Sequence, residues 1–124
     1  MTQTNQKLRK ILIIDDEGDL CLLLELLLKN DNTSIEHAKT LERAKDLLEK
    51  EKPDLVLLDN RLPDGLGIDF IPYIKSNYPT IRIVMISGKD ISAKDIALET
   101  GANIFLSKPF TREQLVSSIQ LLLN

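Results

Sequence analysis

The sequence predicts an α/β fold, a parallel sheet wound with helices on both faces. Apolar runs recur at Ile11–Ile14 (ILII), Asp54–Leu58 (DLVLL) and Ile81–Ile86 (IRIVMI), and near-continuous runs of this kind suit strands buried on both faces. Between the runs lie longer segments with apolar residues at helical spacing. Strand and helix alternate five times, the pattern of a doubly wound sheet with right-handed crossovers.

The elements follow in order. Residues 1–8 are polar and are expected to form a flexible tail. Lys10–Asp15 reads as the first strand. Leu20, Leu23, Leu24, Leu27 and Leu28 share one face of a helix expected over Glu17–Lys29. Leu22 and Leu26 fall outside that stripe, and are expected to pack on the last helix or on a partner. Thr33–His37 is a weak second strand. Thr40 is placed to cap a helix that turns Leu41, Ala44, Leu47 and Leu48 inward. Asp54–Leu58 and Ile81–Ile86 are the third and fourth strands, and Ile104–Leu106 is a short fifth. Ser92 with Asp95 forms a capping-box pattern, with Ile91 and Ile96 as its staple, and Gly101 suits the left-handed stop of that helix. Thr111 with Gln114 repeats the box, with Phe110 and Leu115 as the staple. The helix that follows is expected to bury Leu115, Val116, Ile119 and Leu122.

Size and composition bound the function. The chain has 124 residues, enough for one domain with its own core, and 43% of them are hydrophobic, which places it among globular chains. A formal net charge of -3 and an isoelectric point of about 5.2 give no basic footprint for nucleic acid. The single cysteine, Cys21, sits in a leucine run and is expected to be a small buried hydrophobe. The apolar run before Asp15 is too short for a signal-peptide core, and Leu20–Leu28 is too short for a membrane span. A cytoplasmic location is the expectation.

The chemistry gathers at the strand ends. The first strand runs into Asp15 and Asp16, the third into Asp59, the fourth into Ser87, and the fifth into Ser107 and Lys108. In open parallel sheets, ligands bind beyond the carboxyl ends of the strands. Three carboxylates, a hydroxyl and an ammonium would therefore share one rim. Clustered carboxylates repel unless compensated. A hard divalent cation with oxygen ligands compensates them, and Mg2+ suits a site that shares a phosphate. Asp59 would then be a nucleophile that forms an aspartyl-phosphate, with Ser87 and Lys108 on the other phosphoryl oxygens.

These residues carry a resemblance. ILIIDD at 11–16, PDLVLLD at 53–59, DNRLPDGLG at 59–67, Ser87-Gly88, Gly101-Ala102 and FLSKPF at 105–110 together resemble the receiver domain of two-component response regulators, over roughly residues 9–124. The resemblance implies a flavodoxin-like (βα)5 fold with strand order 2-1-3-4-5, the order of the family's chemotaxis member. It implies Asp59 as phosphoacceptor, Asp16 as direct Mg2+ ligand, Asp15 as its acidic partner and the backbone carbonyl of Arg61 as a further ligand. Ser87 and Phe105 resemble the switch pair, Lys108 the phosphoryl-binding lysine, and the Lys108–Pro109 bond is expected to be cis. The implied donor is a sensor histidine kinase or phosphotransfer protein. The implied output is a changed partner-binding face, with a homodimer through the fourth helix, fifth strand and fifth helix as one form. Self-assisted phosphorylation and hydrolysis are implied, and enzymatic turnover is not. Neither nucleic acid nor membrane is expected as a partner.

Departures from the pattern are Arg61 and Lys89, basic at positions that tune phosphoryl lifetime, and Pro72, which is expected to kink the third helix or delay its start. His37, the single histidine, reads as an ordinary surface residue. Three other functions compete with this one. A haloacid-dehalogenase-like phosphatase wants a second Asp where Arg61 stands. A flavodoxin-like redox module wants a hydroxyl- or glycine-rich phosphate loop where Asp15-Asp16-Glu17 stands. A receiver that binds partners without being phosphorylated would not need the full acidic set. The kinase, the stimulus and the output stay open, as does the choice between a stand-alone regulator and a piece of a longer one.

Overall fold

The computed structural model describes residues 8–28, 32–88 and 93–123. Its elements run β1 (Arg9–Ile14), α1 (Asp19–Leu27), β2 (Thr33–Ala38), α2 (Leu41–Glu51), β3 (Leu55–Asp59), β4 (Arg61–Leu62), β5 (Gly65–Leu66), α3 (Gly67–Asn77), β6 (Arg82–Ser87), α4 (Ala93–Thr100), β7 (Ile104–Ser107) and α5 (Arg112–Leu123). Five strands pair in parallel in the order β2-β1-β3-β6-β7. This is the expected 2-1-3-4-5 order. The two-residue strands β4 and β5 form a separate antiparallel ribbon, which the sequence did not announce.

Strand periodicity divides the core in two. Leu12, Ile14, Val56, Leu58, Ile83 and Met85 face α2, α3 and α4, whose Leu48, Ile71 and Ala97 are fully buried among them. Ile11, Ile13, Leu55, Leu57, Val84 and Ile86 face α1 and α5, which contribute Leu24, Leu115 and Ile119. Each such Leu or Ile contributes about 1.5–3 kcal/mol relative to exposure. β1 and β3 are buried on both faces because they lie inside the sheet and helices cover both sides.

The helix ends follow their local chemistry. Thr40 Oγ1 accepts the Arg43 N–H at 3.0 Å, as a cap should. Thr111 and Gln114 form the reciprocal box, at 2.8 and 3.0 Å. Gly101 has φ 133°, and Ala102 N–H returns to the Ala97 carbonyl at 2.9 Å, closing α4. Ile91 and Ser92, the first partners of the staple and box expected for α4, lie outside the described residues, as do Lys89, Lys29 and residues 1–7 of the tail.

Several expectations need correction. α3 starts at Gly67 and runs through Pro72, so there is no late start. Pro72 is exposed inside the helix, and its ring supplies no N–H to the helical ladder. Val116 and Leu122 are only half-buried, and Ser118 is buried instead, its hydroxyl donating to the Gln114 carbonyl at 2.8 Å. Leu22 and Leu26 do not pack on α5; they are 62% and 78% exposed. Cys21 is half-buried, and its thiol donates to Glu25 at 3.3 Å. Burial, with the Glu25 hydrogen bond and charge behind it, pushes the thiol up to about 11. Among the described residues no helix is long and apolar enough to cross a membrane.

Candidate functional site

The strand ends converge as expected. Asp15 follows β1 directly, Asp59 closes β3, Ser87 closes β6 and Lys108 follows β7. Asp15, Asp59 and Ser87 are all buried. A cleft of about 540 Å³ is lined by Asp16, Glu17, Asp59, Arg61, Ser87 and Lys108 among others. Asp15 borders a neighbouring cleft of about 330 Å³ that shares Glu17 and Lys108 with the first.

Backbone hydrogen bonds hold the rim. Asp15 N–H donates to the Ala38 carbonyl at 3.0 Å, extending the β1–β2 ladder by one residue. Asp15 Oδ1 accepts the Glu17 N–H at 2.9 Å, which turns the chain into the loop before α1. Lys108 N–H donates to the Ser87 carbonyl at 2.9 Å, tying the exit of β7 to that of β6. The Lys108–Pro109 bond is cis, as expected.

Asp59 is the electrostatic centre. Its Oδ1 accepts the Asn60 N–H at 3.0 Å and faces Lys108 Nζ at 3.5 Å. Burial pushes the Asp59 carboxyl above its ordinary value; the Lys108 charge pulls it down, and the Asp15 charge pushes it up again. Lys108 compensates this carboxylate only in part, since burial and the Asp15 charge still leave it raised, and a bound cation would complete the compensation.

The donor set fits a hard divalent ion. One carboxylate oxygen each from Asp15, Asp16 and Glu17 lie within 4.8 Å of one another. Asp16, Glu17, Asp59 and Arg61 share the main cleft. All the side-chain donors are oxygens, as Mg2+ prefers. Glu17 is an addition to the expected set; the signal was there in three consecutive acids.

Three further residues support the site, and the sequence reading gave none of them a part in it. His37 is not an ordinary surface residue: it is half-buried, and its Nε2 lies 2.6 Å from the Asp15 carbonyl oxygen. Asn60 is buried and closes the loop after β3, its Oδ1 accepting Ile68 N–H at 3.0 Å and its carbonyl accepting Gly67 N–H at 2.8 Å. Gly67 stands so close to the end of β3 that a Cβ there would lie 2.1 Å from the Asp59 carbonyl oxygen. Phe105 is half-buried beside the α2–α4 core and pairs with Met85, two residues before Ser87.

A doubly wound parallel sheet with an acidic, lysine-bearing cleft at its carboxyl edge defines a class of phosphoryl- and metal-binding α/β modules. The family can be named. The family model of the response regulator receiver domain matches residues 11–120, and the chain belongs to that family. It is 36% identical over 118 residues to the response regulator protein PilR of Pseudomonas aeruginosa, a match covering 91% of this chain and 26% of PilR. It is 35% identical over 112 residues to the regulatory protein VanR of Enterococcus faecium, covering 90% of this chain and 48% of VanR. The chain thus spans about a quarter and about half of these relatives. Its structure superposes on the beryllofluoride-activated NtrC4 receiver domain with a TM-score of 0.84 and 31% identity, covering 91% of this chain and 94% of that one. The chain is therefore the receiver module of a two-component signalling switch, and its family displaces the phosphatase and flavodoxin-like alternatives.

Proposed function

We propose that residues 9–124 act as a phosphorylation-dependent switch with Asp59 as the phosphoacceptor. The observation that carries this reading is Asp59 itself, buried at the end of β3 with Lys108 Nζ 3.5 Å from its Oδ1 in an open acidic cleft. A carboxylate oxygen of Asp59 attacks the donor phosphorus, the phosphorus–oxygen or phosphorus–nitrogen bond to the donor breaks, and an acyl phosphate forms. Asp15, Asp16, Asp59 and the backbone carbonyl of Arg61 would hold Mg2+, with Glu17 beside them. Bound there, the ion neutralises charge on the phosphoryl oxygens. Lys108 binds another of those oxygens and Ser87 donates its hydroxyl to a third. Ser87 and Phe105 link the site to the α4–β7–α5 face, whose two conformations exchange population on phosphorylation.

The donor on this reading is a sensor histidine kinase or a phosphotransfer protein, and the setting is cytoplasmic. The switched face binds an output partner or a second copy of the chain. The NtrC4 receiver, a dimer in its beryllofluoride-activated form, supports the second-copy form. The domain assists its own phosphorylation and hydrolysis without turning over a separate substrate. Arg61, exposed in the cleft, and Lys89 would tune access of the attacking water.

The test is intact mass after incubation with acetyl phosphate, with and without Mg2+, beside Asp59→Asn. A Mg2+-dependent gain of one phosphoryl group, absent in the variant, is expected. No gain on folded protein under any condition would overturn the reading and leave a module that binds partners without being phosphorylated.

A further inference from the structure

We infer that Asp64 is a positioning residue for the metal and phosphoryl site, acting as a clamp between the β4–β5 ribbon and the N-terminus of α2; this rests on the function proposed above. A helix opens with backbone N–H groups that have no partner inside it. In α2, Thr40 Oγ1 accepts only the Arg43 N–H. The two before it are taken from across the chain: Asp64 Oδ1 accepts Leu41 N–H at 2.9 Å, and Asp64 Oδ2 accepts Glu42 N–H at 3.0 Å. Both carboxylate oxygens are engaged, so the orientation of the group is set as well as its place. The backbone bonds hold the Asp64 carboxyl below its ordinary value, that of Leu41 most of all.

The clamp fastens the segment whose geometry matters most. Arg61 pairs with Leu66 and Leu62 with Gly65, so Asp64 sits in the turn of a ribbon with only two residues per strand. A ladder that short holds its shape only if it is held from outside. The base is held by Asn60, through its bonds to Gly67 and Ile68. The tip is held by Asp64 on α2, and Leu41 Cδ1 lies 3.0 Å from the place a Gly65 Cβ would occupy. α2 is a firm anchor, with Ala44, Leu47 and Leu48 buried in the core. Arg61 lies between these two fastenings, and its carbonyl is the one proposed ligand that no rotamer can adjust. Where the loop goes, that oxygen goes. Groups that orient metal ligands without touching the metal commonly matter about tenfold or more in affinity.

The experiment is Mg2+ binding by calorimetry on the full chain with no phosphodonor, followed in parallel by amide shifts in 15N-labelled protein. Asp64→Ala is expected to raise the Mg2+ Kd about tenfold, with the Leu41 and Glu42 amides shifted. Asp64→Asn, which keeps one acceptor oxygen, should recover a large part of the affinity. Thr40→Ala removes the other cap of the same helix without touching the ribbon, and should keep the Kd within about twofold of wild type while lowering Tm. At saturating Mg2+, Asp64→Ala should still label on Asp59. Wild-type affinity in Asp64→Ala overturns the inference. An equal loss in Thr40→Ala does so as well, since Asp64 would then act only by stabilising α2. Failure of wild type to bind Mg2+ or to label overturns the functional reading and the clamp with it, an outcome separate from the other two.

Discussion

Replacing Gly67 with alanine tests how the fold holds Asp59, the proposed phosphoacceptor. The added Cβ would meet the Asp59 carbonyl oxygen at 2.1 Å and Leu58 Cγ at 3.0 Å. A relaxed carbon–oxygen contact is about 3.3–3.6 Å, so something must move by roughly 1.2 Å. Both sides resist. Asp59 is paired with Ile86 in the sheet, and the Gly67 N–H is bonded to the Asn60 carbonyl at 2.8 Å. Forcing atoms into packed space costs about 1–3 kcal/mol. Against this, alanine gains up to about 1 kcal/mol over glycine in a helix, leaving a net loss of up to about 2 kcal/mol. For 124 residues the unfolding entropy is about 260 cal/mol/K, so Tm should fall by up to about 8 °C. The functional effect should be larger, because a misplacement of about 1 Å in a reacting group costs on the order of a hundredfold in rate. Thermal melts read the first quantity and timed acetyl phosphate labelling the second. Gly18→Ala, whose Cβ would meet nothing within 4 Å, is the control and should stay within about 2 °C. A Gly67→Ala protein that melts and labels like wild type would refute the reasoning.

Three other expectations concern charge, reactivity and packing. Burial raises the Asp59 carboxyl, so the folded state holds that proton more tightly than the unfolded chain. The resulting stabilisation is full below the unfolded value and is lost as pH rises through the raised one. Asp59→Asn should therefore raise Tm at pH 7 without Mg2+, the gap closing as pH falls through the carboxylate range; an equal or lower Tm at pH 7 would count against it. With the Cys21 thiol at about 11 rather than 9.0, its thiolate fraction at pH 8 is about a hundredfold below that of an ordinary thiol. Alkylation followed by mass should be slow to match and faster in Glu25→Gln. Leu24→Ala, at a fully buried site, should cost about 2–5 kcal/mol in denaturant melts. Leu26→Ala, two residues on and 78% exposed, should cost no more than about 0.5 kcal/mol. Similar losses for the two would mean that Leu26 is covered in solution.

What could be read from the chain and what could not divide along sequence distance. A strand buried on both faces must be apolar along its length, so the residue that ends it is conspicuous: Asp15, Asp59 and Ser87 each end such a run, and Lys108 follows the short edge strand β7. The caps at Thr40 and Thr111 bond three residues on, within the reach of a local pattern. The misreadings are of another kind. His37 looked like a surface residue because its partner, the Asp15 carbonyl, lies 22 residues away. Asp64 drew no reading beyond its place in the 59–67 motif, because the amides it bonds lie 22 and 23 residues back. The β4–β5 ribbon is too short to show an alternation, and Gly67 stands in the 59–67 motif with no visible reason until β3 is laid against it. The reactive groups of this site are thus written locally, one at the end of each run, whereas the contacts that hold them still are written between runs. A substitution at Asp59 can be interpreted from the sequence alone. One at His37, Asp64 or Gly67 cannot, because each acts on the backbone of a residue it meets only after the sheet has formed.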